Sequence, residues 1–312
     1  MLRNRVLAAL AAVIALSVIG STAGCSDSPQ NASKRSANGL NGLKRTEFAF
    51  DNYRGVDVAV IDYARQHQVD LCLAEAGFPQ NLRAGAGQPF PATSPFSTTP
   101  DQFGLVSAEQ ARLKGFGKDP GWTPPRMAGA DKNYEKTAES CQATAWSKLP
   151  SGTEQVFVAY QALGNELLPY RADVDNRLPK DLSRKMLDCI KSKGWSVPDE
   201  QQFLRTPQPQ VMGVTLGDYV GGSSDWAPDP RRKGIQVQPP VPPRRYQPTP
   251  EESKLAVAWY HCQQDTGWTK TQLQIAADVQ WEYIEERAER LVELNPKIEA
   301  AAKQAAKIVG RK

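Results

Sequence analysis

Apolar residues recur at helical spacing through much of this chain and lose that period in two long stretches. Between residues 56 and 76, Val60, Ile61, Ala64, Gln68, Leu71 and Cys72 fall near one face, which predicts a helix. Residues 77 to 104 have no period and many Pro, Gly and Ser, so a loop is expected. Ser107 then caps a short helix up to Gly115, with Gln110 completing a capping box. After a Pro/Gly-rich run from 117 to 130, a helix carrying Cys141 is expected over about 131 to 148. Residues 152 to 171 have mixed periodicity and read as a bridging helix, and 180 to 193 form a helix before Gly194. The second irregular stretch, 198 to 250, includes Pro239-Pro240-Val241-Pro242-Pro243, a polyproline II spacer. Pro250 opens a helix to Cys262, with Glu251 and Glu252 in the first turn where the dipole favours acids. Thr269 and Gln272 read as a capping box for a long helix to about Leu294. Its apolar face is Leu273, Ala277, Trp281 (or Gln280), Ile284, Ala288 and Leu291. Asn295-Pro296 suits the cap and first turn of a further segment, 296 to 309.

The N-terminus follows a different pattern. Arg3 and Arg5 precede an apolar run from Val6 to Ile19, and Ser21-Thr22-Ala23-Gly24 leads to Cys25. This is the layout of an export signal ending in a lipobox, with 1–24 as signal peptide and Cys25 as the lipidated first residue. An uncleaved helix and a plain cleaved signal are the rival readings. The run is shorter than the roughly 20 residues a span needs. A diacylglyceryl cysteine supplies two acyl chains, enough for stable anchoring. Residues 26 to 45 are polar and rich in Ser, Asn and Gly, so 25–45 is expected to be a flexible tether with a reach of roughly 25 Å. The expected location is the extracytoplasmic face of the cell membrane.

Losing Arg3 and Arg5 lowers the formal charge from +4 to about +2, too slight a balance to argue for nucleic acid. Pro (24) and Gly (23) are plentiful, so long irregular connections are expected. Four cysteines remain beyond Cys25: Cys72, Cys141, Cys189 and Cys262. An even number in an oxidising compartment implies two disulfides, with three pairings open.

An internal repeat narrows that choice. Cys72-Leu-Ala-Glu-Ala-Gly77-Phe78 recurs as Cys189-Ile-Lys-Ser-Lys-Gly194-Trp195 and as Cys262-Gln-Gln-Asp-Thr-Gly267-Trp268. Each cysteine is expected on the last turn of a helix, with the glycine in the left-handed C′ position and the aromatic folding back over the cysteine. The intervals from 72 to 141 and from 189 to 262 are alike, which favours those two bridges and a duplicated module. The fold expected is mainly α: a helical module 1 over 46–150, and a module 2 over 151–312 with long Pro/Gly-rich loops and a long C-terminal helix.

These cysteine–glycine–aromatic modules, the segment from Phe103 to Gly117, and LAVAWYHCQQDTGW before a Gln- and Glu-rich helix resemble a group of actinobacterial lipoproteins of uncharacterised function. The resemblance implies a Gram-positive, high-GC host and an envelope role, and it implies no catalytic residues.

Candidate chemistry is sparse. G-x-S-x-G, H-E-x-x-H, S-x-x-K and P-loop patterns are absent from the sequence. The two histidines, His67 and His261, lack companions for a metal site, so no metal, cofactor or enzyme activity is expected. Asp225 and Asp229 read as solvated loop carboxylates. The candidate binding surface is aromatic: Trp122 beside Pro124-Pro125, and Tyr219 and Trp226 flanking Gly221-Gly222. The expectation is a non-catalytic lipoprotein acting as an interaction or accessory module, beside a transporter or peptidoglycan. A solute-binding receptor is the alternative, although such receptors alternate strands and helices.

Overall fold

Three glycines set the helix ends, as their spacing from cysteine predicts. Gly77, Gly194 and Gly267 have φ of 97°, 86° and 70°, a left-handed region that a Cβ disfavours. The first two close full Schellman motifs: Phe78 N–H donates to the Leu73 carbonyl and Gly77 N–H to that of Ala74, with Trp195 to Ile190 and Gly194 to Lys191 repeating the pattern. The computed structural model describes residues 42–129, 132–222, 226–232, 234–239 and 243–310. The expected signal peptide, Cys25, most of the tether and the centre of the polyproline run lie outside these residues.

The protein is mainly helical. α1 (Gly55–Glu75) carries Cys72 and α4 (Lys132–Ala145) carries Cys141; between them lie the short α2 (Gln80–Gly85) and α3 (Ala108–Lys114). α5 (Thr153–Leu167) and α6 (Tyr170–Asn176) cross to α7 (Lys180–Ser192), which carries Cys189. After α8 (Glu200–Arg205) come α9 (Pro250–Asp265) with Cys262, α10 (Trp268–Glu285) and α11 (Ala288–Ile308). Cys72 is bonded to Cys141 and Cys189 to Cys262, across 69 and 73 residues respectively. The 117–130 run and the second irregular stretch contribute two antiparallel ribbons. β1 (Met127–Ala128) pairs with β3 (Gln236–Val237), and β2 (Asp218–Val220) pairs with β4 (Arg245–Gln247) with Tyr219 opposite Tyr246.

Each bridge sits in its own apolar cluster. Phe78 belongs to the cluster of Val69, Leu73, Cys72 and Cys141, and Trp195 and Trp268 to that of Leu255, Trp259 and Cys262, so the aromatic after each glycine lies in the same cluster as a bridge. The largest core is separate. It joins Ala49, Phe50 and Ile61 to Tyr160 and Leu163 of α5 and to Leu291 and Ile298 of α11, and so draws on both sides of residue 150. α1 serves two clusters in turn. Val60, Ile61 and Ala64 face the large core, whereas Val69 and Leu73 face α4. The buried face therefore turns along the helix, and Gln68 and Leu71 are only half-buried.

Several local expectations are corrected. The body begins earlier than residue 45: Asn52 accepts from the Lys44 N–H and donates to the Lys44 carbonyl, and Leu43 packs on the large core. Ser107 caps α3 through Gln110 N–H, but Gln110 Oε1 has no partner among the described residues, so the box is half made. After Gly267 the chain re-enters a helix at Trp268. Thr269 and Gln272 therefore lie inside α10, and Thr269 Oγ1 and Gln272 Oε1 are unpartnered among the described residues. The long helix breaks at Arg287 (φ −117°, ψ 9°), whose guanidinium donates to the Tyr283 carbonyl and pairs with Glu166.

Asn295-Pro296 is not a boundary either. Pro296 lies within α11, where it removes the amide that would reach the Val292 carbonyl. Tertiary contacts hold the helix together across it. Asn295 accepts from Tyr160 O–H at 2.5 Å and donates to the Asn52 carbonyl at 3.1 Å, and Ile298, Ala302 and Ala305 are buried just beyond.

This network has a pH signature. Burial pushes the Tyr53 phenol up to about 12 and raises that of Tyr160 further. Burial and the Glu252 carboxylate push Tyr246 up to about 12. Each retains its proton in the folded protein at a pH where the unfolded chain, near 10, has lost it. Their contribution is complete below pH 10 and is lost as pH rises towards 12. In a spectrophotometric titration at 20 °C, these three of the nine tyrosines are expected to ionise late and together with unfolding. Nine phenols titrating as one class near pH 10 would refute this.

Candidate functional site

α1 presents Tyr63, Gln66, His67 and Asp70 at positions i, i+3, i+4 and i+7, which lie on one helical face. α2 presents Leu82 and Gly85, and its C-cap Ala86, against it. The two faces enclose a cleft of about 240 Å³ lined by these residues and Gln88. Gln88 N–H donates to the Gly85 carbonyl at 3.0 Å in the turn after α2. Phe90 meets Tyr63 edge-on, with centroids 5.4 Å apart.

Asp70 is the chemical centre of this cleft. It is only 9% exposed. Its Oδ1 accepts from Gln66 Nε2 at 3.0 Å. Its Oδ2 points towards Gly85, where an added Cβ would lie 3.2 Å away. Burial raises the carboxyl above its ordinary range, opposed by the Gln66 hydrogen bond and by the charge of His67. Such a site can accept hydrogen bonds and attract positive charge. Among the described residues, no group of three or more His, Cys, Asp or Glu side chains could hold a metal ion.

The three aromatic residues singled out from the sequence each have their own neighbours. Trp122 is 41% exposed, and its indole Nε1 lies beside Gly87, between the cleft residues Ala86 and Gln88. Trp226 is stacked under the Arg126 guanidinium at 5.9 Å. Tyr219 is on the β2–β4 ribbon, with Arg244 over its face at 4.9 Å and Tyr246 at its edge. His67 joins the cleft. His261 is exposed and touches the Tyr260 ring. Asp225 lies outside the described residues, and Asp229 accepts from Arg231 N–H. Asp70, Gln66 and Tyr63 were missed because the face opposing them belongs to α2, in a stretch read as loop. Their own spacing on one helix face was the available signal. Comparison with protein-family models, curated proteins and solved structures gives no match.

Proposed function

We propose that the protein is a non-catalytic lipoprotein of the bacterial cell envelope, anchored through Cys25, whose helical body acts as an interaction or accessory module. The observation that carries this reading is the pair of disulfides, each seated in an apolar cluster. A reducing cytosol keeps thiols free, so such bridges favour an oxidising compartment. The basic, apolar and small-residue order before Cys25 supports the same export route. With the body starting at Gly42, the tether from Cys25 reaches roughly 20 Å, which holds the body close to the bilayer and to partners embedded in it or in the adjacent wall. A solute receptor is less well supported: such receptors alternate strands and helices, whereas the described strands are two or three residues long.

Membrane fractionation and intact mass measurement of the wild type and Cys25→Ala test the anchor. The wild type is expected in the membrane fraction, with the mass of a diacylglyceryl group on its first residue. Cys25→Ala is expected in the soluble extracytoplasmic fraction. An unacylated wild type, or a variant that stays membrane-bound, would remove the basis of this reading.

A further inference from the structure

We propose that the cleft between α1 and α2 is a binding site for an organic cation, an alkylammonium or guanidinium group held by Asp70. The inference goes beyond the interaction reading and does not depend on the lipid anchor. A carboxylate that is nine-tenths buried needs a charged or hydrogen-bonding partner on each side, because desolvation disfavours its ionised form. Gln66 satisfies Oδ1. Among the described residues no salt bridge is made to Asp70, and Asp70, with Oδ2 close to Gly85, lines the cleft. A Cβ at position 85 would stand 3.2 Å from that oxygen, a tight contact that would crowd the carboxylate.

The rest of the cleft suits the stem of such a ligand. An ammonium or guanidinium donates to Oδ2 through a charge-assisted hydrogen bond, roughly twice as strong as a neutral one. Tyr63, Leu82 and Ala86 line the same cleft and supply apolar contact for the carbons behind the positive head. A volume of about 240 Å³ accepts a short alkyl chain with its charged end. Two sources present this chemistry: a free amine, and a lysine or arginine side chain on a partner protein. Trp122, exposed beside the cleft at Gly87, lies where the flanking residues of a partner would rest.

The full-length mature protein in detergent is titrated with n-butylammonium, n-butylguanidinium, n-butanol and butyrate, following the amide signals of Gly85 and Gln88 by NMR. Both cations are expected to shift these signals in a saturable way, with butanol and butyrate binding about tenfold more weakly or not at all. Asp70→Asn, nearly isosteric, is expected to lower cation affinity by about tenfold or more. Gly85→Ala, which places a methyl against Oδ2, is expected to weaken both cations, and it decides the matter if Asp70→Asn does not fold. A lysine-containing tripeptide that binds more tightly than butylammonium assigns the site to a partner's side chain; the reverse order assigns it to a free amine. Either order upholds the site. Equal binding of butanol, undiminished affinity in both variants, absence of any cation-induced shift, or displacement of the amine by equimolar calcium would overturn the proposal.

Discussion

Replacing Cys189 and Cys262 together by alanine is expected to lower the stability of the folded protein by about 4 kcal/mol. The bridge closes a 73-residue interval, and a cross-link of that span removes much of the freedom of the unfolded chain. The interval contains the long irregular stretch before α9. Between α8 and α9 the chain runs through a 3-10 turn, Gly-rich bends and strands of two or three residues, with few apolar side chains to order it. Cys262 is fully buried against Leu255, Trp259 and Trp268, so removing its sulfur also loosens that cluster. Against a typical total of about 5–15 kcal/mol, this loss takes a large share of the stability. Urea titrations of the wild type and the double variant, without reductant, measure it. A difference below about 1 kcal/mol would mean that the excursion is ordered by its own contacts.

Glu252→Ala is expected to cost about 3–5 kcal/mol, because the side chain of Glu252 holds three donors that have no other partner at hand. The residue is 0% exposed in the first turn of α9. Its Oε1 accepts from Phe116 N–H at 2.8 Å, its Oε2 from Gly217 N–H at 2.6 Å, and both oxygens lie 3.0 Å from the Tyr246 hydroxyl. One carboxylate thus fastens three loops to the helix: the end of α3, the approach to β2, and β4. The glycines around it are required by closeness. A Cβ on Gly117 would stand 2.0 Å from the Tyr246 ring, and one on Gly217 would stand 2.0 Å from the Gln247 carbonyl. In the alanine variant two backbone amides and a phenol lose their acceptor, each costing roughly 1–3 kcal/mol. Chemical denaturation gives the total. Hydrogen exchange at Phe116 and Gly217 gives the location, with protection lost there first. Unchanged protection at both amides would show that the loops are held by something else.

What the sequence made legible was chemistry confined to a few neighbouring residues. Gly77, Gly194 and Gly267 could be placed because a helix end needs a left-handed residue at a fixed offset. The cysteine pairing was legible because two similar intervals carried the same helix-end motif. What could not be read depended on distant partners. Gln280, offered by the helical spacing as the alternative to Trp281, is fully buried, and the unreadable part was its distant partners: it accepts from Phe50 N–H and donates to Thr98 Oγ1. Gln263 is buried to accept from Leu105 N–H. A glutamine satisfied from a loop more than a hundred residues away looks like a surface residue in one dimension, so the buried face of α10 was drawn too far round. Pro296 misled for the same reason: its helix is sustained by Tyr160 and Asn52, not by local propensity. The cleft was half legible. His67 drew attention, but Asp70 gains meaning only once α2 is folded across it.

The two covalent loops also govern how the body answers to force. Stretched between its ends, the oxidised chain cannot extend the segments spanned by its bridges, 69 and 73 residues long. Only the contour outside them can lengthen. Pulling from the N-terminal side reaches Leu43 and Phe50, which pack in the large core, before it reaches either sulfur pair. The large core would then act as the mechanical fuse, while the cysteine-centred clusters keep their shape under load.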